Sequence, residues 1–278
     1  MLTARLTLLC LLAACSAGPA DSQSAYPQRP AVSDAQGHPH DTATFYFPAA
    51  DSLHATYVPP SQRPAAYVLD ERVLNCSHEL TYASYALTCF EAPVLSNHYL
   101  GAETYRFLWL RSFHRPVLLT LRRETGGAAF LRTQLLDKWP GFSTLTVFHP
   151  DSLPPTSLPE ERARARRYYD ETMADPEFRR QMTEGKRRAA QVKAAETVRA
   201  LTPQQWQQFQ KLLTDSGFQQ SPACQPQMIL DGAYWLLEAH QPNGYHLVFR
   251  HSPNKQDPFR QACEYLIKLS SVRREKRY

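Results

Sequence analysis

The side chains with the strongest claim to chemistry lie near the carboxyl end of the chain: Asp231, Glu238, His246, Arg250 and His251. Successive side chains of a strand point to opposite faces, so His246, Val248 and Arg250 share one side of the stretch 245–250. A neighbouring strand that sets Glu238 or Asp231 across from them would let a carboxylate orient His246 as a base while Arg250 holds an anionic group. The competing expectation is structural. In it, Arg250 pairs with Asp231 or Glu238 to close a hairpin, and His246 is a hydrogen-bonded strand residue.

Other catalytic patterns are missing. The sequence has no G-x-S-x-G, no phosphate-binding loop and no dinucleotide fingerprint, and His78-Glu79 lacks the second histidine of a zinc-protease helix. His38-Pro39-His40-Asp41 offers imidazole and carboxylate donors. It lies in a Pro-rich stretch that would preorganise them poorly, so no metal and no cofactor are expected. The six cysteines include no C-x-x-C, which removes the basis for a thioredoxin-like redox pair or a zinc ribbon.

Position separates the cysteines. Cys10 falls in an apolar run, Leu6 to Leu12, that follows the basic residue Arg5 and precedes Ala13-Ala14-Cys15. This is the pattern of a secretory signal, and the run is too short to span a bilayer as a helix. Leu12-Ala13-Ala14-Cys15 resembles the lipobox of bacterial lipoproteins. The resemblance implies cleavage before Cys15, acylation of Cys15 and a membrane anchor through the N-terminal lipid. Ser16 in place of an acidic residue implies sorting to the outer membrane of the cell envelope. An exported chain meets an oxidising compartment, where the remaining Cys76, Cys89, Cys224 and Cys263 can form disulfides. Four cysteines allow three connectivities. Cys224 and Cys263 flank the C-terminal hairpin, and their pairing is the first expectation.

Those residues need elements to position them. Residues 15–64 hold eight of the 22 prolines and read as a tether, with Phe45-Tyr46-Phe47 docking on the body as a short strand. From residue 65 the chain reads as one globular domain reaching residue 270, followed by a basic tail, 271–278. Aromatic and β-branched runs at 105–113, 117–123, 128–135 and 143–148 predict an antiparallel meander with one covered face, with turns at Pro116 and Gly126-Gly127. Residues 159–200 are rich in charge and in helix formers. They predict a projecting, solvated helical insertion, divided at Pro176 and capped by Asp175. Thr202-Pro203-Gln204-Gln205 is a capping box, and Trp206, Phe209, Leu212 and Leu213 follow at helical spacing. Residues 228–237 and 245–250 predict two strands joined across Pro242-Asn243-Gly244, and Asp257-Pro258 starts a last amphipathic helix. The fold class expected is α+β, an antiparallel sheet covered by helices.

One further likeness rests on Asp231-Gly232, Trp235, Glu238, Tyr245-His246, Val248, Arg250, Ser252-Pro253, Phe259, Cys263 and Leu266. This stretch resembles the carboxyl-terminal part of a group of uncharacterised bacterial proteins, many of them secreted or lipid-anchored, and it implies no activity.

Composition bounds the partners. With 43% hydrophobic and 21% charged residues, the chain can build a core. Only 10 glycines stand against 22 prolines, which disfavours glycine-built phosphate cradles. The net charge of +5 is spread over several segments, so nucleic acid is not an expected partner. The function expected is a lipid-anchored envelope protein that binds another envelope protein or a cell-wall component. The alternative is an envelope hydrolase or transferase using Asp231, Glu238, His246 and Arg250.

Overall fold

The segment Glu103–Arg111 is buried at every position after Glu103. Continuous burial of this kind requires a strand covered on both faces, and it explains why the apolar alternation of this segment is imperfect. The computed structural model describes residues 22–41, 44–48, 76–139, 150, 153, 157–189, 192–225 and 231–277. In chain order the elements are α1 (Ser77–Cys89), β1 (Glu103–Arg111), β2 (His114–Arg123), β3 (Ala129–Leu136), α2 (Pro159–Ala174), α3 (Pro176–Ala189), β4 (Ala194–Leu201), α4 (Pro203–Asp215), β5 (Ala233–Gln241), β6 (Gly244–His251) and α5 (Pro258–Leu269). The strands form one antiparallel sheet in the order β4-β3-β2-β1-β5-β6. This is the α+β class.

The sheet separates two cores. On one side Phe107, Trp109, Leu119, Trp235 and Val248 meet Trp206 and Phe209 of α4 and Phe259, Cys263 and Leu266 of α5. On the other, Leu108, Leu118, Leu236 and Phe249 meet Leu80 and Leu87 of α1 together with Tyr46 and Phe47. Two covered faces replace the single one expected. The second cover comes partly from residues read as a tether. Tyr26 and Tyr46 are buried, and the Tyr26 hydroxyl donates to the Gln241 carbonyl at 2.7 Å. Asn97 donates to Ser33 Oγ at 2.9 Å and accepts from the Arg29 amide at 2.7 Å. Proline blocks regular ladders but not side-chain anchoring of an irregular chain, so the described part of residues 22–48 docks on the body. Phe45-Tyr46-Phe47 docks without forming a strand.

Further differences concern edges and turns. β4 was expected within a helix; instead all eight of its residues pair with Ala129–Leu136 of β3. The free edge of β3 and the β-branched pair Thr197-Val198 override the modest helix preference of the alanines beside them. The helical insertion therefore ends at Ala189. Pro176 does divide it, and Asp175 Oδ1 accepts from the Glu177 amide at 2.9 Å. No residue of α2 is buried, as a solvated helix requires. Pro116 lies inside β2, near the irregular register between Trp109 and Arg111, instead of in a turn. Gly127 carries the positive φ of the β2–β3 turn (+85°). In the β5–β6 hairpin Gln241 pairs with Gly244, so Pro242 and Asn243 form the turn and Gly244 alone takes a positive φ. The capping box forms in full, with the Gln205 amide donating to Thr202 Oγ1 at 3.2 Å. The basic tail is also tied down: Glu275 bonds the buried Arg111 at 2.9 Å. The strand expected over 143–148 and the start of the one expected over 228–237 lie outside the described residues.

The disulfide joins Cys76 to Cys224, with Cα atoms 6.2 Å apart, and Cys89 and Cys263 are free. The pairing expected between Cys224 and Cys263 fails because the two lie on opposite sides of the sheet. Cys263, on α5, faces the core beneath that helix, whereas Cys224 lies beside β6 in the core that contains α1. Closing a loop of 148 residues restricts the unfolded chain strongly. Cys224→Ala should lower stability by about 2–5 kcal/mol in urea titrations, and Cys263→Ala should leave the bridge intact. Peptide mapping without reduction checks the assignment, and a linked peptide containing Cys224 and Cys263 would refute it.

Candidate functional site

The hairpin cluster does not converge. Glu238 faces Leu247 and His246 faces Ala239 in the β5–β6 register, which puts the carboxylate and the imidazole on opposite faces of the sheet. Arg250 lies opposite Trp235, on the imidazole's side. Its Nη1 donates to the carbonyls of Pro222 at 2.9 Å and Phe249 at 2.7 Å, fastening the segment that carries Cys224. His246 Nε2 bonds the Phe218 carbonyl at 2.8 Å, so this nitrogen carries the proton and offers no lone pair. Burial lowers the His246 pKa. His251 packs edge-on against Tyr234, with ring centroids 4.8 Å apart. Asp231 stands exposed at the entry to β5, beside Gly232. A Cβ on Gly232 would approach Ser252 Oγ to 1.9 Å, and this close crossing accounts for the glycine. Neither pairing weighed for Arg250, with Asp231 or with Glu238, is formed.

Glu238 instead joins a buried polar network that no catalytic pattern in the sequence marks. Arg106 of β1 sits directly across from it, and the two are at most 1% exposed. The guanidinium grips the carboxylate with two nitrogens, Nε to Oε2 and Nη2 to Oε1, the latter at 2.8 Å. Tyr245 Oη donates to Glu238 Oε1 at 2.9 Å, and Arg106 Nη1 donates to the Pro93 carbonyl. The Arg106 guanidinium also lies 5.9 Å from the centre of the Tyr46 ring. Burial and the adjacent Glu238 carboxylate hold the Tyr245 hydroxyl well above its ordinary pKa. The warning sign in the sequence is an arginine set between Tyr105 and Phe107 in a strand that is buried on both faces.

His240, two positions further along the same face of β5, has both ring nitrogens engaged. Nδ1 donates to the Leu95 carbonyl at 2.8 Å, and Nε2 accepts from the Leu100 amide at 2.9 Å. The Tyr99 ring stacks on it at 5.2 Å and the Tyr26 ring tilts against it at 5.1 Å. Burial, the largest influence, drives its pKa from 6.5 to about 4. The ring is neutral and bolts β5 to the segment that leads from α1 to β1, with Tyr26 of the docked N-terminal segment packed against it.

The His38-Pro39-His40-Asp41 stretch shows no convergence of donors. His38 Nδ1 bonds the exposed Asp34 at 2.9 Å, and the described residues contain no group of three side chains arranged to hold a metal. Cys15 lies outside the described residues. No family model matches this chain, and no curated protein and no solved structure is similar to it.

Two outcomes follow from the buried network. Glu238→Gln leaves the Arg106 charge without its counter-ion and should cost about 3–5 kcal/mol of unfolding free energy. Combining Arg106→Met with Glu238→Leu should recover much of that loss. A loss below about 1 kcal/mol in the single variant would refute the pair's structural importance. For His240, the folded state binds the proton less tightly than the unfolded chain does. Its stabilisation is complete above about pH 6.5 and is lost as pH falls toward 4, about 3 kcal/mol in all. His240→Gln should flatten that part of the stability–pH curve, measured by urea midpoints between pH 7 and 4.

Proposed function

We propose that this chain is a lipid-anchored protein of the bacterial cell envelope, held at the outer membrane through Cys15, with a binding or structural role. The observation that carries the non-catalytic reading is the dispersal of Asp231, Glu238, His246 and Arg250 over two sheet faces, with Glu238 locked to Arg106. A base needs its orienting carboxylate within hydrogen-bond reach, and Glu238 and His246 do not share a face. The Cys76–Cys224 bridge accords with an oxidising compartment. The partner proposed is an envelope protein or a cell-wall component.

Docking of the residues from Ser22 onward shortens the reach of such an anchor. Six residues lie between Cys15 and Ser22, and the seven steps from one to the other span at most about 25 Å even when fully extended. An anchor at Cys15 would hold the body against the membrane surface instead of far above it. Cys15→Ala should move the protein from the membrane fraction to the soluble one, or leave an uncleaved precursor. Fractionation and intact mass of the mature protein read the outcome, and an unchanged mass with unchanged membrane association refutes the anchor.

A further inference from the structure

At the end of the sheet formed by the β2–β3 turn and the start of α4 lies an open recess of about 370 Å³. That volume falls in the lower range of small-ligand sites. Arg123, Gly127, Thr202, Trp206, Gln207 and Gln210 contribute to its lining. Among the described residues, no acidic side chain lines it.

Three observations give the recess a chemical character. The Arg123 guanidinium rests 5.4 Å from the Trp206 ring centre and, among the described residues, pairs with no carboxylate. Glu103, across from Arg123 in the β1–β2 register, is engaged elsewhere: it accepts from Tyr105 Oη at 2.8 Å and from Gln241 Nε2 at 3.1 Å. Tyr105 has one hydroxyl proton, which Glu103 takes at 2.8 Å; the Gln210 amide, 3.2 Å from Tyr105 Oη, is therefore placed to donate to it, and the other end of that amide, its carbonyl, is the buried end without a partner. A buried amide group without a partner carries a cost that an incoming donor relieves.

Taken together, a free planar cation, an orphaned amide carbonyl, a second amide on Gln207 and an indole suit a ligand that combines an acid with an amide N–H. Arginine matches a carboxylate through two parallel hydrogen bonds, and glutamine amides match acylamino and hydroxyl groups. The volume accommodates one sugar ring. We propose that this recess binds a carboxyl-bearing amino sugar, the chemistry of the muramic acid unit of a cell-wall glycan. The proposal rests on the binding-protein reading and names the cell-wall component as its ligand. In this arrangement Arg123 takes the carboxylate, the Gln210 carbonyl takes the acylamino N–H and Trp206 forms the apolar floor.

The test is a titration of the purified full-length protein, followed through the side-chain amide signals of Gln207 and Gln210 and the indole N–H of Trp206 in nitrogen–proton correlation spectra. N-acetylmuramic acid should shift these signals with millimolar affinity, and N-acetylglucosamine, which lacks the carboxylate, should bind at least about ten-fold more weakly. Arg123→Gln should bring the two sugars to equal affinity, and Gln210→Leu should weaken both, with the rest of the spectrum unchanged. Absence of shifts with either sugar, equal affinity of the wild type for both, or identical shifts with lactate alone would overturn the proposal. The result is independent of the membrane anchor. Sugar binding by a protein that fails the Cys15 test would retain the recess and discard the anchor, and the reverse result would discard the recess alone.

Discussion

The structure depends on a charge that cannot be left alone. Arg106 is removed from water at the centre of the sheet, and burial of an unpaired guanidinium costs several kcal/mol. Its solution is geometric: Glu238 opposite it on β5, Tyr245 from β6 on the same carboxylate, and the Pro93 carbonyl at its far side. Three separate stretches of chain must therefore be correctly placed before the charge is satisfied. Apolar side chains at these positions would pack comparably but would not demand one register. We regard that demand as what the pair contributes, since a one-residue slip of β5 would carry Glu238 to the other face.

Around this point the molecule is bound together by groups of the kinds that carry chemistry in enzymes. His240 bolts the segment that carries Leu95 and Leu100 to β5, and Tyr26, packed against the same imidazole, closes the end of the β5–β6 hairpin. Arg250 fastens the stretch before Cys224, and the disulfide ties that stretch to the start of α1. Arg111, stacked 4.3 Å from the Trp109 ring centre, gathers the carboxyl-terminal residues through Glu275 and the Lys276 carbonyl. Most ionisable residues of the interior are thus structural. The Arg123–Trp206 recess differs because its cation and one amide end remain uncommitted.

Local signals in the sequence were read well where one element decides its own structure. The Thr202–Gln205 capping box, the division at Pro176 and the start of α5 at Asp257 each depend on a few adjacent residues, and each forms as its chemistry requires. Pairing between distant segments was not legible. β4 is a strand because β3 offers it an edge, and no periodicity within residues 194–201 reveals that. The cysteine partners were misjudged because nearness in sequence was used where side of the sheet decides. Likewise, Glu238 and His246 were grouped from neighbouring strands although a hairpin register sets their faces, and that register depends on which two residues make the turn. Proline content misled for residues 22–48, where buried tyrosines outweigh it.

The sheet order also orders events as the chain folds. A chain that emerges amino terminus first delivers β1, β2 and β3 early, and this meander can pair as it emerges. The other neighbour of β1 is β5, whose Glu238 follows Arg106 by 132 residues. Until that late segment arrives, the central strand has one bare edge and an uncompensated cation, and α1 has no bridge to close. Early compact forms should therefore remain open at their middle, where a foreign strand or a holding chaperone can engage. Completion of the fold awaits the last fifth of the chain, so a truncated product would present its most aggregation-prone edge at the centre and not at the periphery.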